Sequence, residues 1–188
     1  MVTVTDRYHH GDLRRALIDA AVEAVAEAGP SALSLRAVAK RAGVSHAAPA
    51  HHFGDKAGLL TAVAAEGFDR FADALERAWE STGDFHAVGA AYVRFAIDHK
   101  AHFEVMFRPE LLHADDPDLL RAETRSREAL HRGTGAVPGA VFNVRALAAW
   151  SLAHGFAELL IAGNFPPGVT EHPEEAFKAV ATATLLGE

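Results

Sequence analysis

The chain has no cysteine. That excludes disulfides, thiol nucleophiles and thiolate-held metal sites. Tryptophan, tyrosine and methionine occur only twice each in 188 residues. No apolar–polar alternation marks a strand, and no fixed-period repeat recurs. No cationic, apolar and small-residue signal segment opens the chain, so a cytoplasmic protein is expected. The signatures of common enzymes are missing too: there is no GxSxG elbow, P-loop or dinucleotide fingerprint. Gly133-Thr134-Gly135 lacks the strand, helix and GK[ST] ending of a phosphate cradle and reads as a loop, so no enzyme is expected. A large positive charge is also absent: the net charge is −7.

What is present is alanine, with 49% hydrophobic residues overall. That favours helices around a sizeable core. The acidity is uneven. Residues 1–56 carry seven Lys and Arg against six Asp and Glu, plus five His, so a weakly basic head precedes an acidic body. A charge split of this kind is compatible with an anionic partner for the head, although uneven scatter of surface charge produces it equally well.

The sharpest pattern lies between Ser34 and Leu59. Ser34 can cap a helix whose apolar positions are Leu35, Val38, Ala39 and Ala42. Gly43 follows, where a left-handed residue ends a helix without steric cost. Val44 is expected to turn inward, Ser45 to cap a second short helix, and Phe53 to anchor its end. Two short helices across a tight turn form a helix-turn-helix, the architecture of a DNA reader. An ordinary helical hairpin would show some of the same features.

Around this motif the pattern predicts an all-α chain of about nine helices. A first helix runs over about 13–28, capped by Asp12 and ended by Gly29-Pro30. A long connector spans about 56–81, with a stripe of Leu59, Leu60, Val63, Phe68, Phe71, Leu75 and Trp79. Further helices are expected over about 84–100, 101–107, 116–132, 140–162 and 173–186. Gly133–Gly139 and Asn164–Gly168 are read as breaks, and Pro173 as a first helical residue. The helix at 116–132 is read as solvent-facing, with Glu123–Arg127 and Glu128–Arg132 pairs at i,i+4 spacing. Residues 146–163 reach the minimum length for a membrane span. His154 and Glu158 argue against one, since a carboxylate at the bilayer centre costs about 2.5–3.5 kcal/mol. A buried helix of a bundle is expected instead.

At residues 8–60 the chain resembles the tetracycline-repressor (TetR) family of bacterial transcription regulators. The resemblance rests on Leu13, Ala20-Ala21, Gly29, Ser34-Leu35-Arg36, Val38-Ala39, Ala42-Gly43-Val44-Ser45, His52-Phe53, Lys56 and Leu59. Tyr8-His9-His10-Gly11-Asp12-Leu13-Arg14 and Trp150…His154-Gly155 are similar to one subgroup, whose C-terminal domain is named for Trp-His-Gly. The resemblance implies a three-helix DNA-binding domain over 1–56 and a ligand-binding and dimerisation bundle over 57–188. It implies a homodimer on a palindromic operator in double-stranded DNA, released by a small-molecule effector, with no cofactor and no membrane partner. A helical interaction protein that has lost DNA binding is the alternative.

In the head, the candidate DNA contacts are Arg36, Ser45, His46, Ala47, Ala48, Pro49, Ala50, His51, His52 and Lys56. With Ser45 as cap, the N–H groups near Ala47 and Ala48 would face a phosphate. His52 and Lys56 match family phosphate contacts, although His52 could instead bond the turn. Arg36 can reach a base edge or a phosphate. Pro49-Ala50 replaces the family's usual Leu-Tyr, so Ala50 cannot supply that tyrosine's phosphate contact, and Pro49 at a fourth helical position would forfeit a hydrogen bond. His46 and His51 are then the polar readers, among alanines suited to thymine methyls.

For the effector, the resemblance implies a cavity lined by Tyr92, Phe95, Phe103, Met106, Phe107 and Trp150, with Phe71, Leu75 and Trp79 from the connector. Each of these can equally be core. His154 and His99 are the candidate polar contacts. Glu158, one turn after His154, could form an acid/base pair with it, but such pairs are common in ordinary helices. Twelve histidines raise a metal-responsive reading, but they occur only as pairs at helical spacing, where zinc needs three or four converging ligands. No metal site is expected. The last two long helices carry more apolar surface than one chain must hide, so dimerisation is placed there, at Phe177, Val180, Ala181 and Thr184.

Overall fold

A computed structural model describes residues 4–132, 134 and 143–185. Among them there are ten α-helices, two 3-10 turns and no strand. The helices are α1 (Val4–Ala28), α2 (Leu35–Arg41), α3 (Ala48–Phe53), α4 (Lys56–Thr82), α5 (Phe85–Asp98), α6 (Lys100–Met106), α7 (Pro117–His131), α8 (Val144–Ile161), α9 (Pro167–Glu171) and α10 (Pro173–Leu185). The all-α expectation holds, and α9 is the helix that the expected break at Asn164–Gly168 concealed. Helix α1 begins nine residues earlier than expected, so Asp12 lies inside its bounds. Most of the expected loop at Gly133–Gly139, the first residues of the expected helix at 140–162, and Leu186 lie outside the described residues.

Packing divides the chain into two compact units. One comprises Met1–Gly67 and Ala101–Leu120, the other Phe68–Lys100 and Arg121–Glu188. Helix α4 contributes residues to both.

In the first unit, α1 buries Leu17, Ile18, Ala20, Ala21 and Val25, which share one helical face. Against this unit's core α2 contributes Val38 and Ala39, and α4 contributes Leu59, Leu60, Val63 and Ala64. Each such aliphatic side chain contributes about 1.5–3 kcal/mol when fully removed from water. Asp55 caps α4: its Oδ1 accepts the Gly58 N–H at 2.8 Å. That bond holds the Asp55 carboxyl below the usual carboxylate range. Glu66 of α4 accepts from Arg15 of α1 at 2.6 Å and lies 3.4 Å from the buried His102 of α6.

In the second unit, α5 packs against α8 and α10, which also pack against each other. Asp84 caps α5 through the His86 N–H, and Asn143 caps α8 through the Ala146 N–H. Pro173 opens α10 as expected. Phe156 and Phe177 meet edge to face at 5.5 Å between ring centres. At Gly89 of α5 a side chain would run into the Phe177 ring, so glycine permits the close approach of α10.

Two expectations about this unit need correction. Helix α7 is not simply solvent-facing, since Ala122, Ser126, Ala129 and Leu130 are buried. Arg121 and Arg125 of α7, and Arg132 just beyond it, pair with α4: Arg121 with Asp69, Arg125 with Asp73 and Glu76, and Arg132 with Glu76. Arginines on one face of α7 meet carboxylates at matching intervals on α4, which i,i+4 bookkeeping within one helix overlooks. Helix α8 is the one described helix long and apolar enough to cross a membrane, yet only 28% of it is buried. Ala146, Ala149, Ala153, Phe156 and Ala157 face the core, while Val144, Leu147 and Leu159 are exposed. It is therefore two-faced and not the fully buried helix expected.

Candidate nucleic-acid interface

Ser34 caps α2 as expected, accepting the Ala37 N–H at 3.2 Å. The helix stops at Gly43, whose φ of 68° only glycine adopts without strain. The Val44 N–H reaches back to the Ala39 carbonyl at 3.0 Å and the Gly43 N–H to Lys40, closing a Schellman motif. Val44 itself is half-buried.

The turn then differs from the expectation. Ser45 does not cap α3. Its carbonyl accepts the Ala48 N–H at 3.0 Å, and Ala47 stands at the cap with no side-chain bond. Helix α3 therefore starts at Ala48, and Pro49 occupies its first turn, where the missing N–H has no intrahelical acceptor to lose. Pro49 is buried and fixes the inner face of α3. The outer side presents Ala47, Ala50 and His51, all exposed, while Ala48, His52 and Phe53 are half-buried. The expected cost of Pro49 disappears because the helix begins two residues later than a Ser45 cap implied.

His46, freed from the helix, sits in the turn. With Ser34, Arg36, Ala37 and Lys40 it lines an open depression of about 560 Å³. Arg36 and Lys40 are one helical turn apart on α2 and share a face. Among the described residues no carboxylate pairs with either. By contrast, Arg15 is held by Asp19 and Glu66 and Arg41 by Glu23 and Glu27, while Arg14 lies over the Phe53 ring at 5.3 Å. Arg36 and Lys40 thus place two positive charges without carboxylate partners side by side on α2. Lys40 was missed in the sequence; its i,i+4 spacing from Arg36 was the available signal.

His52 stacks tilted on Phe53 at 6.2 Å and edge-on to His51 at 5.5 Å. Lys56, at the start of α4, donates to the Ser31 carbonyl at 2.6 Å. An ammonium has three donors, so this bond leaves others for a second acceptor.

The residues proposed for an effector fall into two groups. Phe103 and Met106 are buried in the first unit, where Phe107 meets Phe103 edge-on at 5.1 Å between ring centres. Phe71, Leu75, Tyr92 and Phe95 are buried in the second unit, and Trp79, His99 and His154 there are half-buried. Phe71 contacts Tyr92 and Phe95 at 4.8 and 5.0 Å, and Phe95 contacts His99 at 4.8 Å. The Tyr92 hydroxyl meets His154 Nδ1 at 2.8 Å. With Tyr92 donating, the ring proton sits on Nε2, which faces Glu158 Oε1 at 3.8 Å. Burial lowers the His154 pKa, with Glu158 opposing the shift, and burial raises the Tyr92 phenol. Trp150, 39% exposed, borders His154 at 6.2 Å.

Phe177 and Ala181, expected at a dimer interface, lie in the core of the second unit. Val180 and Thr184 remain exposed on α10.

The comparisons with known proteins agree with this architecture. Residues 17–63 match the family described as bacterial regulatory proteins, tetR family. Residues 85–184, more than half of the chain, match the tetracyclin repressor-like C-terminal domain. That match stands at the level of the family and does not single out the Trp-His-Gly subgroup. The HTH-type transcriptional regulator BetI of Burkholderia thailandensis is 50% identical over 53 residues, which are 28% of this chain and 27% of that protein. A solved structure of a protein of unknown function from Rhodococcus sp. RHA1 is 34% identical, with a TM-score of 0.70, covering 92% of this chain and 96% of that one. The regulator LfrR from Mycobacterium smegmatis, solved in complex with proflavine, shares the fold at 22% identity and a TM-score of 0.63, covering 93% of this chain and 95% of that one. A helix-turn-helix closed by Ser34 and Gly43, joined to a helical C-terminal domain that the family model matches, makes this chain a member of the TetR family of transcriptional regulators.

Proposed function

We propose that the chain represses transcription by binding an inverted-repeat operator as a homodimer, and that a small apolar effector releases it. The observation that carries the reading is the depression formed by Arg36, Lys40 and His46 beside the exposed face of α3. Cations without carboxylate partners at a helix-turn-helix suit a phosphate backbone, and such contacts fix register without reading sequence. Residues 1–56 form the DNA-binding domain in this reading, and 57–188 the sensing and dimerisation domain. Lys56 and His52 add phosphate contacts at the other end of α3.

The dimer is supported by the outer faces of α8 and α10. Val144, Leu147 and Leu159 surround Ala148, Ser151 and Gly155 on the face of α8 opposite its buried side. With Val180 and Thr184 of α10 they supply an apolar patch that a second copy covers in an isologous four-helix contact. Phe177 and Ala181 act behind this surface by packing α10 onto α5.

The effector is assigned to the second unit, around Phe71, Tyr92, Phe95 and Trp150, with the Tyr92–His154 pair as the polar contact. A fold neighbour that holds proflavine supports a small-molecule role for this architecture. Phe103, Met106 and Phe107 are assigned to core packing of the first unit. To release DNA, an effector must favour the non-binding state by its differential affinity for the two states. Helix α4, with residues in both units, is the element through which that preference passes.

The test is selection of duplexes from a random pool by the full chain. Enrichment of one inverted repeat, bound by two subunits, is expected. A pool that stays random after repeated rounds contradicts the reading.

A further inference from the structure

We infer that each subunit reads its half-site as two neighbouring thymine methyls beside one purine, through Ala47, Ala50 and His51. The inference rests on the proposed DNA binding and specifies its operator. Ala50 and His51 are exposed on the outer side of α3, with the exposed Ala47 at its N-terminal cap and Gly54 just after its end. Pro49 turns the opposite face into the core. His46 leaves the reading face, since it lines the depression with Arg36 and Lys40. The face thus offers two methyl groups, one imidazole and one bare backbone position. This reading surface is flanked by cations, as an anionic duplex requires.

Methyl groups have one specific partner in the major groove, the C5-methyl of thymine. Ala47 and Ala50 are separated by a rise of about 4.5 Å along the helix axis, close to the step of about 3.4 Å between bases on one strand. Two adjacent thymines fit that spacing. An imidazole N–H donates to an acceptor, and N7 is the acceptor that adenine and guanine share in the major groove. His51 is assigned to a purine N7, which does not choose between the two purines; thymine O4 is the competing acceptor, and removal of N7 alone tells them apart. Phosphate contacts supply most of the affinity, and these three side chains supply the sequence preference.

The experiment uses the full chain and the duplex it enriches from a random pool. Each thymine of the half-site is replaced in turn by deoxyuridine, which removes only the methyl, and each purine by its 7-deaza analogue, which removes only N7. Deoxyuridine at two neighbouring positions is expected to weaken binding by about fourfold each. One 7-deazapurine is expected to weaken it by about fivefold. In Ala50→Gly one of the two deoxyuridine penalties disappears, and in Ala47→Gly the other does. In His51→Ala the 7-deaza penalty disappears. Each comparison is a ratio within one variant, so a weakened helix cancels. Deoxyuridine bound as tightly as thymine throughout, or penalties unchanged in the variants, overturns the inference while leaving DNA binding intact. A pool that yields no enriched sequence overturns both.

Discussion

The Lys56 ammonium donates to the carbonyl oxygen of Ser31 at 2.6 Å, tying the start of α4 to the 3-10 turn at Pro30–Ala32. One side chain thus holds the head together and, in the proposed complex, reaches a phosphate. Lys56→Ala is expected to weaken binding to every duplex alike and to reduce the salt slope by about one. It should also cost about 0.5–1.5 kcal/mol of stability, because the Ser31 carbonyl loses its donor. Anisotropy titrations at several salt concentrations, with a urea melt beside them, separate the two effects. A sequence-selective loss of binding would show Lys56 to be a base reader.

Val180 and Phe177 are three residues apart on α10, yet Val180 is 38% exposed and Phe177 3%. Val180→Glu or Leu147→Glu should give folded monomers that bind operator poorly. Phe177→Ala should instead destabilise the subunit by about 3–5 kcal/mol, through lost burial and the cavity left behind. Sedimentation combined with circular dichroism distinguishes these outcomes. Folded monomers from Phe177→Ala, with Val180→Glu still dimeric, would place the interface elsewhere.

His154 gives the second unit a signed pH dependence. Burial holds its folded-state pKa below the ordinary value near 6.5. As pH falls through that range the unfolded chain takes up a proton that the folded chain refuses, so stability is lost on the acid side. Protonation would also remove the Nδ1 acceptor that a donating Tyr92 uses. The wild type should therefore lose more stability than His154→Gln between pH 7.5 and 5.5. Parallel pH profiles for the two proteins would show that His154 does not resist protonation.

Gly89 tests the packing of α5 on α10. Alanine is the better helix former by about 1 kcal/mol. Here, however, its methyl would meet the Phe177 ring, and overpacking costs about 1–3 kcal/mol. Gly89→Ala is expected to lower the unfolding midpoint, with partial recovery when combined with Phe177→Leu. A raised midpoint for Gly89→Ala would mean that α10 moves aside freely.

The sequence was legible where one residue determines a local conformation. Ser34 and Gly43 marked both ends of α2, and Pro173 marked the start of α10. Long periodic stripes revealed α4, α5 and α8 to within a few residues. Ser45 misled because a good capping side chain competes with the turn, and the buried Pro49 fitted only a later start. Pairing on α7 was misread because its partners lie on α4, some fifty residues away in the chain. On α10, Phe177 and Val180 both belong to an apolar stripe, and only packing against Gly89 tells the inner from the outer. The candidate site was legible in part: the sequence named Arg36 and His46 but not Lys40, which the structure places beside them.

The most direct measurement of the central claim is the salt dependence of operator affinity for the wild type and for Arg36→Gln/Lys40→Gln. Both variant side chains are exposed, so the fold should survive. The account predicts a steep linear fall of log K with log salt for the wild type. In the double variant that slope becomes shallower by about two units per subunit, because two phosphate contacts are lost. An unchanged slope in a correctly folded double variant would contradict the assignment of the Arg36–Lys40–His46 depression to the DNA backbone.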